Sequence, residues 1–301
     1  MTGGKALIGI VSVRGKDYHP TRRLIEAGSV RGCTVVVVNP YSVWPGFEKN
    51  RPVLLGRPEA EELDAVLPRQ GAEIRDCCLP LLEHFGQTGV VVINSLEAVL
   101  KARNKFFTLQ ALARAGLPVA STVFVNRKEG LEDALRFLGA KAVAKPVSGR
   151  RGDGITLLER ADQLPSALVA ELDSGRGVVV QEYIPPAGRR DLRVFVVGTG
   201  AVAAMELVPA AGDFRANFGL GGRPRSVELS REQADLAVAA AGALGLEVAG
   251  VDMMLVSGGR LVVGEVNYSP GFEALEGVNG RDIAGAIVDY ALETIEQRKR
   301  I

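Results

Sequence analysis

In GRLVVGEVNYSP, the stretch from Gly259 to Pro270, an apolar run leads into Glu265, Asn267 and Ser269 at alternate positions. Alternate residues of a strand share a face, so Glu265 and Asn267 project together. Just upstream, Ser257-Gly258-Gly259-Arg260 separates Val256 from Leu261. Gly-Gly suits a two-residue hairpin turn, because both central positions need φ > 0. With that turn Ser257 faces Arg260, and Asp252 falls opposite Glu265. Carboxylates placed so sit about 5 Å apart and repel. A hard divalent cation relieves the repulsion, with Asn267 as a neutral oxygen ligand. Mg2+ commonly combines one or two carboxylates with substrate phosphates. On this reading, neutralising either acid slightly stabilises the metal-free protein. The alternative is an exposed hairpin face with solvated acids, which the apolar neighbours disfavour.

A second cue is AVAKPV, where Lys145 ends an apolar strand and Ser148-Gly149-Arg150-Arg151-Gly152-Asp153-Gly154 follows. Backbone N–H groups of a glycine-rich loop can approach phosphate closely, which makes Gly152 and Gly154 candidates for that contact. The loop is neither a P-loop nor a dinucleotide fingerprint: its spacing differs, and a strand follows it. Alone it fits an ordinary hairpin turn. Lys105 and Lys145 are candidate phosphate partners, against the plain reading of a lone lysine as a surface residue. Lys145 is the less ordinary of the pair, because a charge ending an apolar run needs a partner. Arg193 in LRVFVV and Arg215 in FRANFG sit among apolar or small residues. Their forks suit a carboxylate or a developing oxyanion.

The elements that must position these groups read as follows. Ala6–Val11, Cys33–Val38, Leu63–Leu67 and Val90–Ile93 are short, largely apolar runs separated by helical stretches at Thr21–Ala27 and Leu79–Phe85. Such runs predict buried parallel strands and a three-layer α/β domain over residues 1–94. Ser95 is a candidate cap for the next helix. Lys105–Ala115 is helical, stopped by Gly116 and Pro118. Strands at Val119–Val125, Ala142–Pro146, Ile155–Leu158 and Val178–Ile184, with one helix at Leu131–Leu138, predict an α+β lid within residues 95–187. In residues 188–301, Leu192–Val197 and Ala201–Leu207 form a hairpin. A capping box joins Ser230 to Gln233, Val251–Val256 and Leu261–Asn267 are strands, and Asp282–Gln297 is helical.

Composition narrows the function classes. A net charge of +1 over 301 residues gives no global reason to expect nucleic acid or an anionic membrane as partner. No segment approaches the roughly 20 apolar residues of a membrane span, and the opening MTGGKALIGIVSVRG has too short an apolar core for a secretory signal. Cys33, Cys77 and Cys78 lack metal-ligand spacing and read as small buried hydrophobes. A reducing cytoplasm is the expected compartment.

Taken in order, INSLEAVLKARNKFFTLQALARAGLP, AKPVSGRRGDGI, VVQEYIPPAGRRDLRVFVVG, GDFRANF, AGVDMM and EVNYSPGFEAL resemble the RimK-type ATP-grasp ligases, over about Ile93 to Asp289. The resemblance implies an ATP-grasp fold behind an N-terminal pre-ATP-grasp domain. ATP lies between the central and C-terminal subdomains. The implied reaction activates a carboxylate as an acylphosphate for attack by an amine, releasing ADP and phosphate. Many members add L-glutamate or a related amino acid. The expected partners are ATP, Mg2+ (with Mn2+ as an alternative), an amino-acid carboxylate and an amine acceptor, given as a protein C-terminus or a small molecule. A homo-oligomer stays open. Carried over by motif, Lys145 and Lys105 contact phosphate, Glu182 and Tyr183 lie on the adenine segment, and Asp191 faces the ribose. Arg215 and Asn217 belong to the nucleotide and reaction centre, while Asp252, Glu265 and Asn267 match the metal ligands.

This sequence departs from the family pattern in two places. Phe218-Gly219-Leu220 stands where members often have Leu-His-Arg, and Gly149-Arg150-Arg151-Gly152 where they often have Gly-Ser/Thr-Gln-Gly. A non-catalytic nucleotide-binding protein of the same fold is a competing reading. A serine hydrolase is a remote one: Asn267-Tyr268-Ser269-Pro270-Gly271 nearly matches the nucleophile elbow, but the only histidines, His19 and His84, precede the serine.

Overall fold

β-Branched runs with no polar alternation need cover on both faces, and the first third of the chain supplies it. In the computed structural model, which describes residues 5–69, 76–139, 141–149, 154–208 and 222–300, β1 (Leu7–Val11), α1 (His19–Val30) and β2 (Thr34–Val38) come first. A hairpin of β3 (Trp44–Glu48) and β4 (Arg51–Leu55) follows, then β5 (Ala65–Pro68), α2 (Leu79–Gln87) and β6 (Val91–Val92). Strands β2-β1-β5-β6 form one parallel sheet in that order. The β3–β4 hairpin was not foreseen; Pro45 and Pro52 argue against strands, and its Trp44, Phe47 and Leu55 stay exposed.

Ser95 caps α3 (Leu96–Arg103) by accepting from the Ala98 amide, and Asn104 caps α4 (Lys105–Arg114). Next come β7 (Thr122–Val125), α5 (Gly130–Leu138), β8 (Ala142–Pro146), β9 (Thr156–Leu158), α6 (Ser166–Asp173) and β10 (Val178–Glu182). The strands pair antiparallel in the order β7-β10-β8-β9. Two expectations change here. The first strand begins at Thr122, with Val119 making only an isolated bridge to Val263, and α6 joins the single expected helix.

The last third holds β11 (Arg190–Val197), β12 (Gly200–Val208), β13 (Arg223–Ser226), α7 (Arg231–Leu244), β14 (Val248–Leu255), β15 (Leu261–Asn267), α8 (Glu273–Asn279) and α9 (Ile283–Lys299). The capping box holds: Ser230 Oγ accepts from the Gln233 amide, and Gln233 Oε1 accepts from the Ser230 amide. Gly245, left-handed at φ 77°, closes α7. The sheet order is β13-β12-β11-β14-β15, antiparallel. One face buries Val194, Val251, Met253 and Val266 against Ala237, Ala241 and Leu244 of α7. On the other face Phe195 and Met205 join Phe272, Ile287 and the N-terminal sheet's Ile8 and Ile10 in a second core.

The parallel sheet is fastened to this sheet by Asn94, which is 1% exposed. Its Nδ2 donates to the Val248 and Tyr268 carbonyls, and its Oδ1 accepts from the Glu247 and Val248 amides. Of the cysteines, Cys33 and Cys78 are buried as expected, whereas Cys77 is exposed.

Candidate active site

Arg193, Asp252 and Glu265 stand side by side on β11, β14 and β15, because Arg193 pairs with Asp252 and Asp252 with Glu265. The expected pairing of the acids is therefore present, reached by a different path. Val256 bonds to Arg260 across a loop one residue longer than a two-residue turn, with Gly258 and Gly259 both at φ 84°. Leu255 then pairs with Leu261, one residue out of the expected register, until a bulge between Asp252 and Met253 absorbs Gly264 and restores it. Without that extra residue Glu265 would point to the opposite face.

The acids are not left to repel one another. Arg193 grips Asp252 with two bonds, Nε to Oδ1 at 2.6 Å and Nη2 to Oδ2 at 2.7 Å. Lys105, at the start of α4, donates from Nζ to Glu265 Oε1 at 2.7 Å. The expected gain in metal-free stability on neutralising an acid is thereby overturned, since each carboxylate already has its own base. The Asp252 charge raises Arg193 above its usual pKa, outweighing burial. Burial alone would lift Glu265; Lys105, then Lys145 and Arg193, outweigh it and hold the carboxyl below its usual value. The Glu265 side chain is still 39% exposed.

Lys145, on β8 of the lid sheet, lies within electrostatic reach of Glu265. It is 9% exposed and donates to Gln181 Oε1 at 2.9 Å; Gln181 in turn donates to Thr122 Oγ1. Burial, reinforced by the Lys105 charge, lowers Lys145 to about 8. Its partner is thus a neutral amide and not a carboxylate, so its charge is incompletely balanced. Gln181 was missed in the sequence, although a polar residue inside the apolar run VVVQEY was the available signal. Lys105 also reaches the Gly149 carbonyl at 3.4 Å.

The remaining expected residues fall as follows. Glu182, at the end of β10, accepts from the Ser121 amide and from Arg260 at 3.3 Å, and Tyr183 follows it, half-buried. Asp191 lies on the Arg193 face of β11, bonded to Arg189 at 3.0 Å. Burial pushes its carboxyl up to about 6, against the pull of Arg189. Gly154 is left-handed at φ 72°. Gly152, Arg215 and Asn217 lie outside the described residues.

The donor set suits a hard cation. Two carboxylates and an amide offer oxygen, and Asn267 Nδ2 lies 3.4 Å from Asp252 Oδ2. Turning the amide over would present its oxygen. No cluster of three or more His, Cys, Asp or Glu exists among the described residues, so other ligand places would fall to water or phosphate, as suits Mg2+.

Comparison with known proteins gives a consistent placement. Residues 102–291 match the RimK-like ATP-grasp domain and residues 7–99 the RimK PreATP-grasp domain. The chain is 38% identical over 293 residues to a probable alpha-L-glutamate ligase of Pseudoalteromonas translucida, covering 97% of each. It is 37% identical over 279 residues to a probable alpha-L-glutamate ligase of Shewanella amazonensis, covering 92% of each. Among solved structures, the ATP-grasp ligase PsnB complexed with its minimal precursor superposes with a TM-score of 0.74 at 24% identity, covering 96% of this chain and 99% of that one. A second PsnB structure holds precursor, Mg and ADP, with a TM-score of 0.71 at 23% identity over 96% of this chain and 98% of that one. At that identity these structures speak to the fold alone. With the acids, bases and sheets arranged as described, this chain belongs to the RimK-like ATP-grasp family of carboxylate–amine ligases, enzymes that form carbon–nitrogen bonds with ATP.

Proposed function

We propose that this chain couples a carboxylate to an amine through an acylphosphate, with L-glutamate or a related amino acid as one substrate. The observation that carries the proposal is the row Arg193–Asp252–Glu265 met by Lys105 and Lys145. Such a balanced array can exchange partners: the acids take a cation, and the freed bases take phosphate. The names of the relatives support glutamate, and the nucleotide and metal bound to PsnB support ATP and Mg2+ here.

In this reading Asp252, Glu265 and Asn267 hold Mg2+, which supplies positive charge to the phosphate oxygens when bound. Lys145 and Lys105 neutralise the phosphates. Gly152 and Gly154 let the loop approach them. Glu182, Tyr183 and Asp191 serve adenine and ribose. Arg193 orients Asp252 and, with Arg215, offsets the oxyanion; Asn217 completes the centre.

A carboxylate oxygen attacks the γ-phosphorus, the bond from that phosphorus to the β-bridging oxygen breaks, and ADP leaves. The amine then attacks the acyl carbon, phosphate departs with the bonding pair, and the amine proton passes to solvent. A protein C-terminus offers a carboxylate and no amine. With such a substrate the peptide acid is activated and the amino acid supplies the amine.

The test supplies ATP, Mg2+ and hydroxylamine with a panel of carboxylates, including peptides. Carboxylate-dependent hydroxamate with ADP and phosphate is expected. AMP and pyrophosphate would mean an acyl-adenylate and sink the proposal.

A further inference from the structure

The parallel sheet carries a cation that the reaction centre leaves unused. Arg69 follows directly on β5 and is 9% exposed. Its Nη2 donates to the Pro270 carbonyl, while Nε and Nη1 are buried with no hydrogen-bond partner among the described residues. Its guanidinium lies over the Phe272 ring at 5.6 Å. Burial lowers it to about 10, so it stays charged at neutral pH. An arginine buried with unspent N–H groups is costly and calls for an anion.

The position is the one where this architecture receives ligands. The chain runs β1 to β2 on one side and then crosses to β5, so the strand order reverses between β1 and β5. In open α/β sheets ligands bind at the carboxyl ends of strands at such a reversal. Arg69 lies there, its amide bonded to the Val11 carbonyl at the end of β1. Helix α1 opens at the same edge with no side-chain cap and no acid in its first turn, which leaves its N-terminal amides to favour an anion. His19, its first residue, meets the same Phe272 ring at 5.7 Å; its Nε2 lies 3.5 Å from Glu276 Oε2, and its Nδ1 is buried with no hydrogen-bond partner among the described residues.

We propose that Arg69, with His19 and the N-terminus of α1, forms a subsite for the non-reacting carboxylate of the amino acid that supplies the amine. The proposal rests on the ligase reading above. Pro270, which Arg69 touches, lies three positions past Asn267 in the chain. An amino acid anchored there can extend its amine toward the activated carboxylate. Its own carboxylate needs such an anchor, because Asp252 and Glu265 would repel it, while Lys105 and Arg193, which pair with those acids here, go to phosphate and the oxyanion in the reaction proposed above. The arginine fork matches a carboxylate with paired bonds.

The test compares the full chain with Arg69→Met and Arg69→Lys. Binding of each standard amino acid is measured calorimetrically, with and without MgADP, and the tightest binder is carried forward beside its carboxamide. The parent is expected to prefer the free acid. Arg69→Met should weaken it about thirtyfold or more, the size expected for losing one partner of a buried charge pair. Arg69→Lys should restore part of the affinity, and the Tm of ligand-free Arg69→Met should match or exceed the parent's. Hydroxylamine needs no carboxylate anchor, so hydroxamate formation and the KM for ATP should be unchanged in Arg69→Met. Binding within twofold of the parent, no preference for acid over amide, or hydroxamate lost in parallel would each overturn the subsite. A parent that binds amino acid through Arg69 yet makes no hydroxamate would instead refute the ligase reading and leave the subsite standing.

Discussion

Two charged regions flank the segment from Asn267 to Phe272, and they are balanced in opposite ways. On the sheet side, Asp252 is gripped by Arg193 and Glu265 by Lys105. On the side of the parallel sheet, Arg69 keeps two buried nitrogens unpaired among the described residues. A paired array is stable unliganded and must trade partners when ligand arrives. An unpaired cation is organised in advance, and its cost is recovered only on binding. Substitutions should therefore act differently in the two regions, and that difference can be tested.

The largest expected effect is on turnover. Glu265→Gln removes a charge proposed to hold the metal against phosphate, and hydroxamate formation should fall about 100- to 1000-fold, the usual cost of losing one charge-stabilising contact in a transition state. Arg69→Met should leave that same rate intact. Equal losses in both variants would erase the distinction between the regions.

The next effect is on stability. Asp252→Asn strands Arg193, whose side chain is 23% exposed, and should destabilise the metal-free protein by about 2 kcal/mol, below the range for a fully buried pair. Arg69→Met should show no such loss. A cycle with Arg193→Met and Asp252→Leu, followed by urea denaturation, isolates the pair: the double variant should be more stable than the sum of the singles implies. Additive losses would mean that Arg193 and Asp252 are merely neighbours.

How much of this was legible in the sequence depends on how local the cause was. The capping box at Ser230 and the strand runs are written in adjacent residues, and they form as expected. The pairing of Asp252 with Glu265 came out right because a longer turn and the Gly264 bulge compensate; neither has a signal that periodicity alone can separate. The bases that neutralise the acids were not legible, since Arg193 and Lys105 lie 59 and 160 positions away from their partners. Arg69 reads as an ordinary end to LPR until Phe272 and Pro270 close over it, and only the strand order around β5 marks it.

The third effect is on pH dependence, and Lys145 sets its sign. Its folded pKa is lowered from 10.5 to about 8. In the free protein the charged form is penalised, so this group adds stability as pH rises from about 8 toward 10.5, where the unfolded chain still holds the proton. Phosphate favours the charged form. MgATP affinity should be flat below pH 7 and weaken above about 8, by at most tenfold per unit. Lys145→Met should bind weakly with no such bend. A bend that survives in Lys145→Met would assign the titration to another group. Amino-acid binding at Arg69, pushed down only to about 10, should lack the bend near 8.

The smallest effect concerns the loop beside Lys145. Gly154 is left-handed at φ 72°, and an added Cβ would meet Pro146 Cδ at 3.2 Å and Cγ at 3.4 Å. Gly258, in the turn that carries the acids, is left-handed at φ 84° with nothing within 4 Å of such a Cβ. Alanine at either position should cost about 1 kcal/mol of backbone strain. Gly154→Ala adds a contact with a proline ring that must give by a few tenths of an ångström, so its Tm should fall slightly further. The two variants should part on ligand binding. Gly258 lies at the far end of the hairpin from Asp252 and Glu265, so Gly258→Ala should leave MgATP affinity unchanged. Pro146 adjoins Lys145, so pressure on it displaces the buried ammonium, and Gly154→Ala should weaken MgATP severalfold while leaving amino-acid binding at Arg69 untouched. Equal MgATP affinities in the two variants would remove the loop from the phosphate side of the comparison.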